Sequence, residues 1–119
     1  DFKIFIAKCK DKMIAGLLLF YSNKTVEYFT PVVISSERHY QPMSLIIYHA
    51  FLDAMERGFE QFNWGGTWLS QHGVYKFKKQ FGAIDLPYSY YTYINDKGIL
   101  NLPSNEILKT YPNFYVCNF

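Results

Sequence analysis

Residues 13–33 read MIAGLLLFYSNKTVEYFTPVV. Two apolar runs of strand length flank Asn23-Lys24, a pair that fits a two-residue hairpin turn. Residues 14–22 are apolar on both faces, the pattern of a central strand. Gly16 inside that run marks a bulge or a close backbone approach. Residues 25–34 read as the returning strand, and pairing is expected to lapse near Pro31, which has no N–H to give. Upstream, FKIFIAKC over residues 2–9 alternates, with Phe2, Ile4 and Ile6 on one face and Lys3 and Phe5 on the other. Lys10-Asp11-Lys12 is a polar turn. The three segments together predict an antiparallel meander.

Beyond it the chemistry changes. SSERHYQPMS, residues 35–44, is a polar loop. Ile47, Tyr48, Phe51, Leu52 and Met55 then recur at helical spacing over residues 45–57, with His49, Asp53 and Glu56 opposite. Ser44 is the expected N-cap and Gly58 the expected residue just past the C-terminus. Residues 59–64 form a short strand that Gly65-Gly66 breaks, and a second helix runs from about Gln71 to Gln80, ended by Gly82. Residues 86–94 alternate rings as another strand, 95–98 make a turn, and 105–109 make a short helical turn before an aromatic tail. A meander followed by β-α-β gives an α+β fold: a mixed sheet with helices on its faces.

The chain has 119 residues, half of them hydrophobic and 20% aromatic, which is ample for a core and unlike a disordered composition. A net charge of +2 is too small to imply nucleic-acid binding by itself. The longest apolar run, residues 13–21, is too short to span a membrane as a helix, and no signal-peptide pattern is present, so a cytoplasmic setting is expected. Cys9 and Cys117 are expected to be reduced and buried. With His39, His49 and His72 they give no metal-ligand spacing. Starting at Asp1 and entering strand sequence at once, the chain reads as one domain over residues 1–119, the C-terminal part of a longer protein.

GVYKFKKQFG, residues 73–82, sets three lysines among three rings. At about 100° per residue, Val74, Phe77 and Phe81 share an arc of roughly 60°, and Lys78 stands about 40° from Val74, at the border of that stripe. Lys76 and Lys79 fall on the far side, an ordinary solvated face. Lys78 either lays its stem along the core edge or holds its ammonium in a partly desolvated cleft. There it could meet a phosphate or a developing oxyanion. The N-terminus of the helix near Leu45, fed by the loop that carries Arg38 and Tyr40, is either a second anion site, with one donor removed by Pro42, or simply an exposed polar loop. Gly65 and Gly66 permit close approach of backbone to a ligand, or simply a strand-to-helix turn. Trp64 and Trp68 flank them as core or rim rings.

MIAGLLLFYSNKTVEYFTPVV, AMERGFEQFNWGGT and GVYKFKKQFGA, in this order, resemble the Fem-type (FemAB-like) aminoacyl transferases and related domains of the GNAT N-acyltransferase superfamily. The most specific part is Tyr75-x-Phe77-Lys78-x-x-Phe81-Gly82. The resemblance implies a GNAT-like mixed sheet that splays between its fourth and fifth strands, with the acyl donor in the splay. It implies transfer of an amino acid from aminoacyl-tRNA to an amine on a cell-wall precursor, and it places the lysine of the Phe-Lys pair at the transfer site. By that resemblance Lys78 is the catalytic candidate. Arg38, Tyr40, Gly65, Gly66, Trp68, Tyr75 and Phe77 are candidate substrate contacts. GNAT enzymes that use coenzyme A usually carry a glycine-rich pyrophosphate loop before the helix. Residues 36–44 contain no glycine, which turns the expectation from acyl-CoA toward a tRNA-borne donor or no donor at all. The expected partners are the donor and acceptor substrates, tRNA among them, and either a second copy or a missing N-terminal part of the same protein. A non-catalytic binding module of the same fold is the competing expectation.

Overall fold

A computed structural model of the chain describes residues 1–67, 71–89, 91, 93–95 and 97–110. They belong to two compact units, residues 1–84 and 85–119. The first holds a four-stranded sheet in the order β1-β2-β3-β4. Strands β1 (Phe2–Cys9), β2 (Lys12–Ser22) and β3 (Thr25–Val33) form the expected antiparallel meander. Both turns are two-residue hairpins. Lys10 and Asp11, then Asn23 and Lys24, all take positive φ, as the tight turn matching strand twist requires. With its turn that short, β2 begins at Lys12, two residues earlier than expected.

Two irregularities set the side-chain phase of the sheet. Ala7 pairs with Ala15 and Lys8 with Met13, leaving Ile14 unopposed. The bulge thus falls two residues from Gly16, which pairs in register with Ile6 and Val32. On the other side Leu18 pairs with Thr30 and Leu19 with Tyr28, leaving Phe29 as the extra residue. Pairing does not lapse at Pro31, which stays opposite Leu17. β3 meets β4 only over Thr25–Glu27, so Pro31 lies where β3 is an edge and its missing N–H breaks no ladder.

α1 (Pro42–Glu56) starts three residues before the expected point. Its N-cap is Gln41 in the left-handed region, not Ser44, whose amide donates to the Gln41 carbonyl at 3.1 Å. Pro42 is at home in the first turn, where its absent N–H has no helical partner to lose. The 35–40 segment is a 3₁₀ turn rather than an open loop. Gly58, at φ 74°, ends the helix as expected, with the Phe59 amide reaching back to the Ala54 carbonyl at 2.9 Å.

The buried stripe of α1 is Met43, Ile46, Ile47, Ala50 and Ala54. Ile47 and half-buried Phe51 are as expected, but Tyr48, Leu52 and Met55 face outward. The reason is steric: Ala50 is 0% exposed, and its small side chain lets the helix lie close on the sheet, which the larger residues could not. Asp53 is not on the solvent face either. It receives the Lys3 ammonium and, at 2.8 Å, the Tyr21 hydroxyl. Burial pulls its carboxyl up, but those two hydrogen bonds and the charges of Lys3 and Arg57 outweigh it and hold it below the usual carboxylate range. The Tyr21 phenol is pushed above its ordinary value, first by burial and then by Asp53.

β4 is shorter than expected, Gln61–Asn63, and runs parallel to β3. The Lys24 carbonyl seats its start by accepting from the Glu60 and Gln61 amides at 2.8 and 3.2 Å. Phe59 packs edge-on against Tyr21, and Trp64 turns toward Tyr28. α2 (His72–Gln80) follows, with Gly82 at φ 80° after it. In the second unit the described part of residues 86–94 forms no strand. A 3₁₀ turn spans Lys97–Asn101, and α3 spans Ser104–Thr110. Cys9 is free and half-buried, not fully buried; Cys117 lies outside the described residues. Among the described residues no helix is long and apolar enough to cross a membrane.

Candidate functional site

The three-residue contact between β3 and β4 decides where a ligand can enter. Pairing of the two strands ends at Glu27 and Asn63, and beyond it the two chains line a cleft of about 810 Å³. The Phe29 bulge sets its β3 wall: Tyr28 before it, and Pro31 and Val33 after it, all line the cleft. Trp64, Gly65 and Gly66 form the opposite wall, the first turn of α1 and Arg38 one rim, and α2 the floor. Gly65 takes φ 66°, which a side chain would resist, so the chain turns sharply off the end of β4. The Asn63 carboxamide accepts from the Gly65 amide at 3.0 Å and secures that turn.

α2 is held by rings. Phe81 packs on Trp64 at 5.6 Å between centroids and on Phe77 at 5.2 Å, while Trp64 also meets Phe62 and Tyr28. This aromatic seam rotates α2 so that the residue it buries is Lys78, only 9% exposed. The Lys78 ammonium donates to the Trp64 carbonyl at 2.8 Å, to Thr67 Oγ1 at 2.8 Å, to the Gly66 carbonyl at 3.1 Å and to the Gly65 carbonyl at 3.4 Å. Its three N–H donors are therefore engaged by the chain's own oxygens. Burial lowers its pKa from the ordinary lysine value. Lys76 and Lys79 are exposed, and Lys79 lies over the Tyr75 ring at 5.8 Å.

The structure brings together Arg38, Gly65, Gly66, Phe77 and Lys78 around one cleft. Tyr40 is 58% exposed, stacks on His39 and is not part of the wall. Tyr75 is likewise off the wall and 44% exposed. Trp68 lies outside the described residues. Tyr28, Gln41, Ser44 and Gln71, none of them among the candidate substrate contacts read from the sequence, also line the cleft. Burial pushes the Tyr28 phenol up to about 12. The described wall carries no carboxylate and no histidine; its ionisable side chains are Tyr28, Arg38 and Lys78.

The FemAB family matches residues 1–85. Among solved structures, an aminoglycoside acetyltransferase from an uncultured soil metagenomic sample, in complex with sisomicin, superposes at a TM-score of 0.63 and 15% identity. It covers 79% of this chain and 66% of its own. A ribosomal-protein-alanine N-acetyltransferase from Brucella melitensis biovar Abortus 2308 superposes at 0.65 and 12% identity, covering 78% and 71%. This chain thus spans about two thirds of the length of such structures, and at these identities the likeness establishes a GNAT-like fold. A search of curated proteins returns no match.

Proposed function

The chain belongs to the FemAB family, and from that premise we propose that it moves an acyl or aminoacyl group from an activated donor to an amine acceptor. The cleft that opens where the pairing of β3 and β4 ends is the observation that carries this reading. It is large enough for the end of a substantial donor, is lined mainly by apolar and aromatic groups, and has cations but no carboxylate on its described wall. An ester donor fits that electrostatic balance. The acceptor nitrogen adds to the ester carbonyl, a C–N bond forms, the C–O bond breaks, and the proton lost by the amine is matched by the one gained by the leaving oxygen.

Positive charge near the carbonyl favours the intermediate in which its oxygen becomes negative. Lys78 contributes that charge as a field rather than as a hydrogen-bond donor, since its protons already have acceptors. Tyr28 is a hydrogen-bond donor on the β3 wall. The donor we favour is aminoacyl-tRNA rather than acyl-CoA, because the segment before α1 has no glycine-rich phosphate loop. The acceptor is an amine in cell-envelope or polysaccharide biosynthesis, in keeping with the family. Titration calorimetry tests the donor. Aminoacyl-tRNA should bind with an affinity that falls steeply with salt, and coenzyme A and acetyl-CoA should not compete. Saturable binding of acetyl-CoA with none of aminoacyl-tRNA would reverse the assignment.

The lack of a carboxylate or histidine on the described wall favours a second reading, a GNAT-like binding module without catalysis. Aminoacyl-tRNA would then bind but release no aminoacyl product to any amine, which a filter assay of labelled amino acid distinguishes.

A further inference from the structure

The four oxygens around Lys78 belong to consecutive residues, 64–67. A trans peptide carries its C=O and N–H on opposite sides, and among the described residues no peptide is cis. With the Gly65 and Gly66 carbonyls turned onto the ammonium, the amides of Gly66 and Thr67 must point away from it. Gly66 lines the cleft, and among the described residues nothing accepts from its N–H, whereas the neighbouring Gly65 amide is taken by Asn63. We infer that Lys78 is a positioning residue: its ammonium fixes the 64–67 backbone so that the Gly66 N–H is presented to the acyl carbonyl oxygen of the donor.

The positioning part stands on the geometry alone; the recognition part rests on the proposed transfer function. A neutral side chain of similar length would release all four oxygens at once and free the backbone to turn. An arginine retains charge and several donors, so it can hold most of them. Replacement by arginine therefore separates this role from that of a bare ammonium aimed at substrate.

The test is by NMR on the uniformly ¹⁵N-labelled chain, with Lys78→Met and Lys78→Arg variants. Two probes are titrated: an amide-linked aminoacyl-adenosine, which keeps the acyl carbonyl but cannot react, and acetyl-CoA. In the ligand-free chain Lys78→Met should displace the Gly66 and Thr67 amide signals, while Lys78→Arg leaves them near their original positions. In the wild type the aminoacyl-adenosine should move the Gly66 amide downfield. Its dissociation constant should rise at least tenfold in Lys78→Met and stay within about threefold in Lys78→Arg. Unmoved Gly66 and Thr67 signals in ligand-free Lys78→Met overturn the positioning role. A probe that moves Tyr28 and Val74 but not Gly66 overturns the recognition role and leaves the transfer function standing. If neither probe moves any cleft residue, the transfer function fails and recognition with it, while the ligand-free spectra still decide positioning. Should Lys78→Met not fold, a Lys78→Arg chain with displaced Gly66 and Thr67 signals overturns the proposal, and the wild-type titration judges recognition as before.

Discussion

The face of the sheet beneath α1 and the opposite face carry side chains of the same kind but bury them to opposite extents. Leu17, Leu19 and Val26 on the first are 1% exposed or less. Phe2, Ile4, Ile6, Met13 and Val32 on the second are all more than half exposed. Phe2, Ile4 and Ile6 pair across to Phe20, Leu18 and Gly16, so the open face is a continuous apolar surface. Hydrophobicity marks what a strand can bury; the position of the helix decides what it does bury. The closed face is also where Asp53, on α1, accepts from the Tyr21 hydroxyl of β2.

The sharpest way to break that contrast is Leu19→Ala. It should lose about 2–5 kcal/mol in urea unfolding, because a 0%-exposed leucine leaves a cavity in a packed interior. Next in size, Lys78→Met should lose about 1–3 kcal/mol by stranding its acceptors, and exposed Lys76→Met under about 0.5. Equal losses for the two lysines would remove the special standing of Lys78.

Asp53→Asn should cost about 1 kcal/mol at neutral pH and alter the acid limb of stability. The folded carboxyl is held below its unfolded value, so its contribution is complete above about pH 4 and is lost as pH falls further. The wild type should therefore lose stability below about pH 4 faster than Asp53→Asn, followed by urea midpoints against pH; parallel curves would detach Asp53 from the fold. The smallest effect is expected on the open face. Ile6→Thr should change stability by less than about 0.5 kcal/mol in the same assay. A loss approaching that of Leu19→Ala would show that this face is covered in solution.

Much of the fold was legible because local rules were decisive. Alternation in residues 2–9, the tight turn at Asn23-Lys24, and Gly58 and Gly82 past the helix ends each allow few conformations. α1 was harder, because it is apolar nearly all round. Large residues at helical spacing pointed to Tyr48 and Met55, and packing chose Ala50 and Ala54 instead. In the site, helical periodicity puts Lys78 at the edge of the apolar stripe, and α2 does bury it. Periodicity does not show what the ammonium meets, since its partners lie 11 to 14 residues earlier in the chain. Tyr40 and Tyr75, chosen for their place in loop and motif, ended outside the wall.

By itself, then, the sequence determined the meander, the helix that follows it, and the lysine-bearing helix with its buried edge, because these depend on periodicity and on turns only a few residues long. Tertiary structure alone decided the cleft. Its mouth exists because β3 and β4 pair for only three residues, and its β3 wall exists because the unopposed Phe29 shifts the phase, turning Pro31 and Val33 inward where strict alternation from Val26 would have chosen Thr30 and Val32. Both are matters of register between strands, fixed by contacts that no local stretch of chain contains.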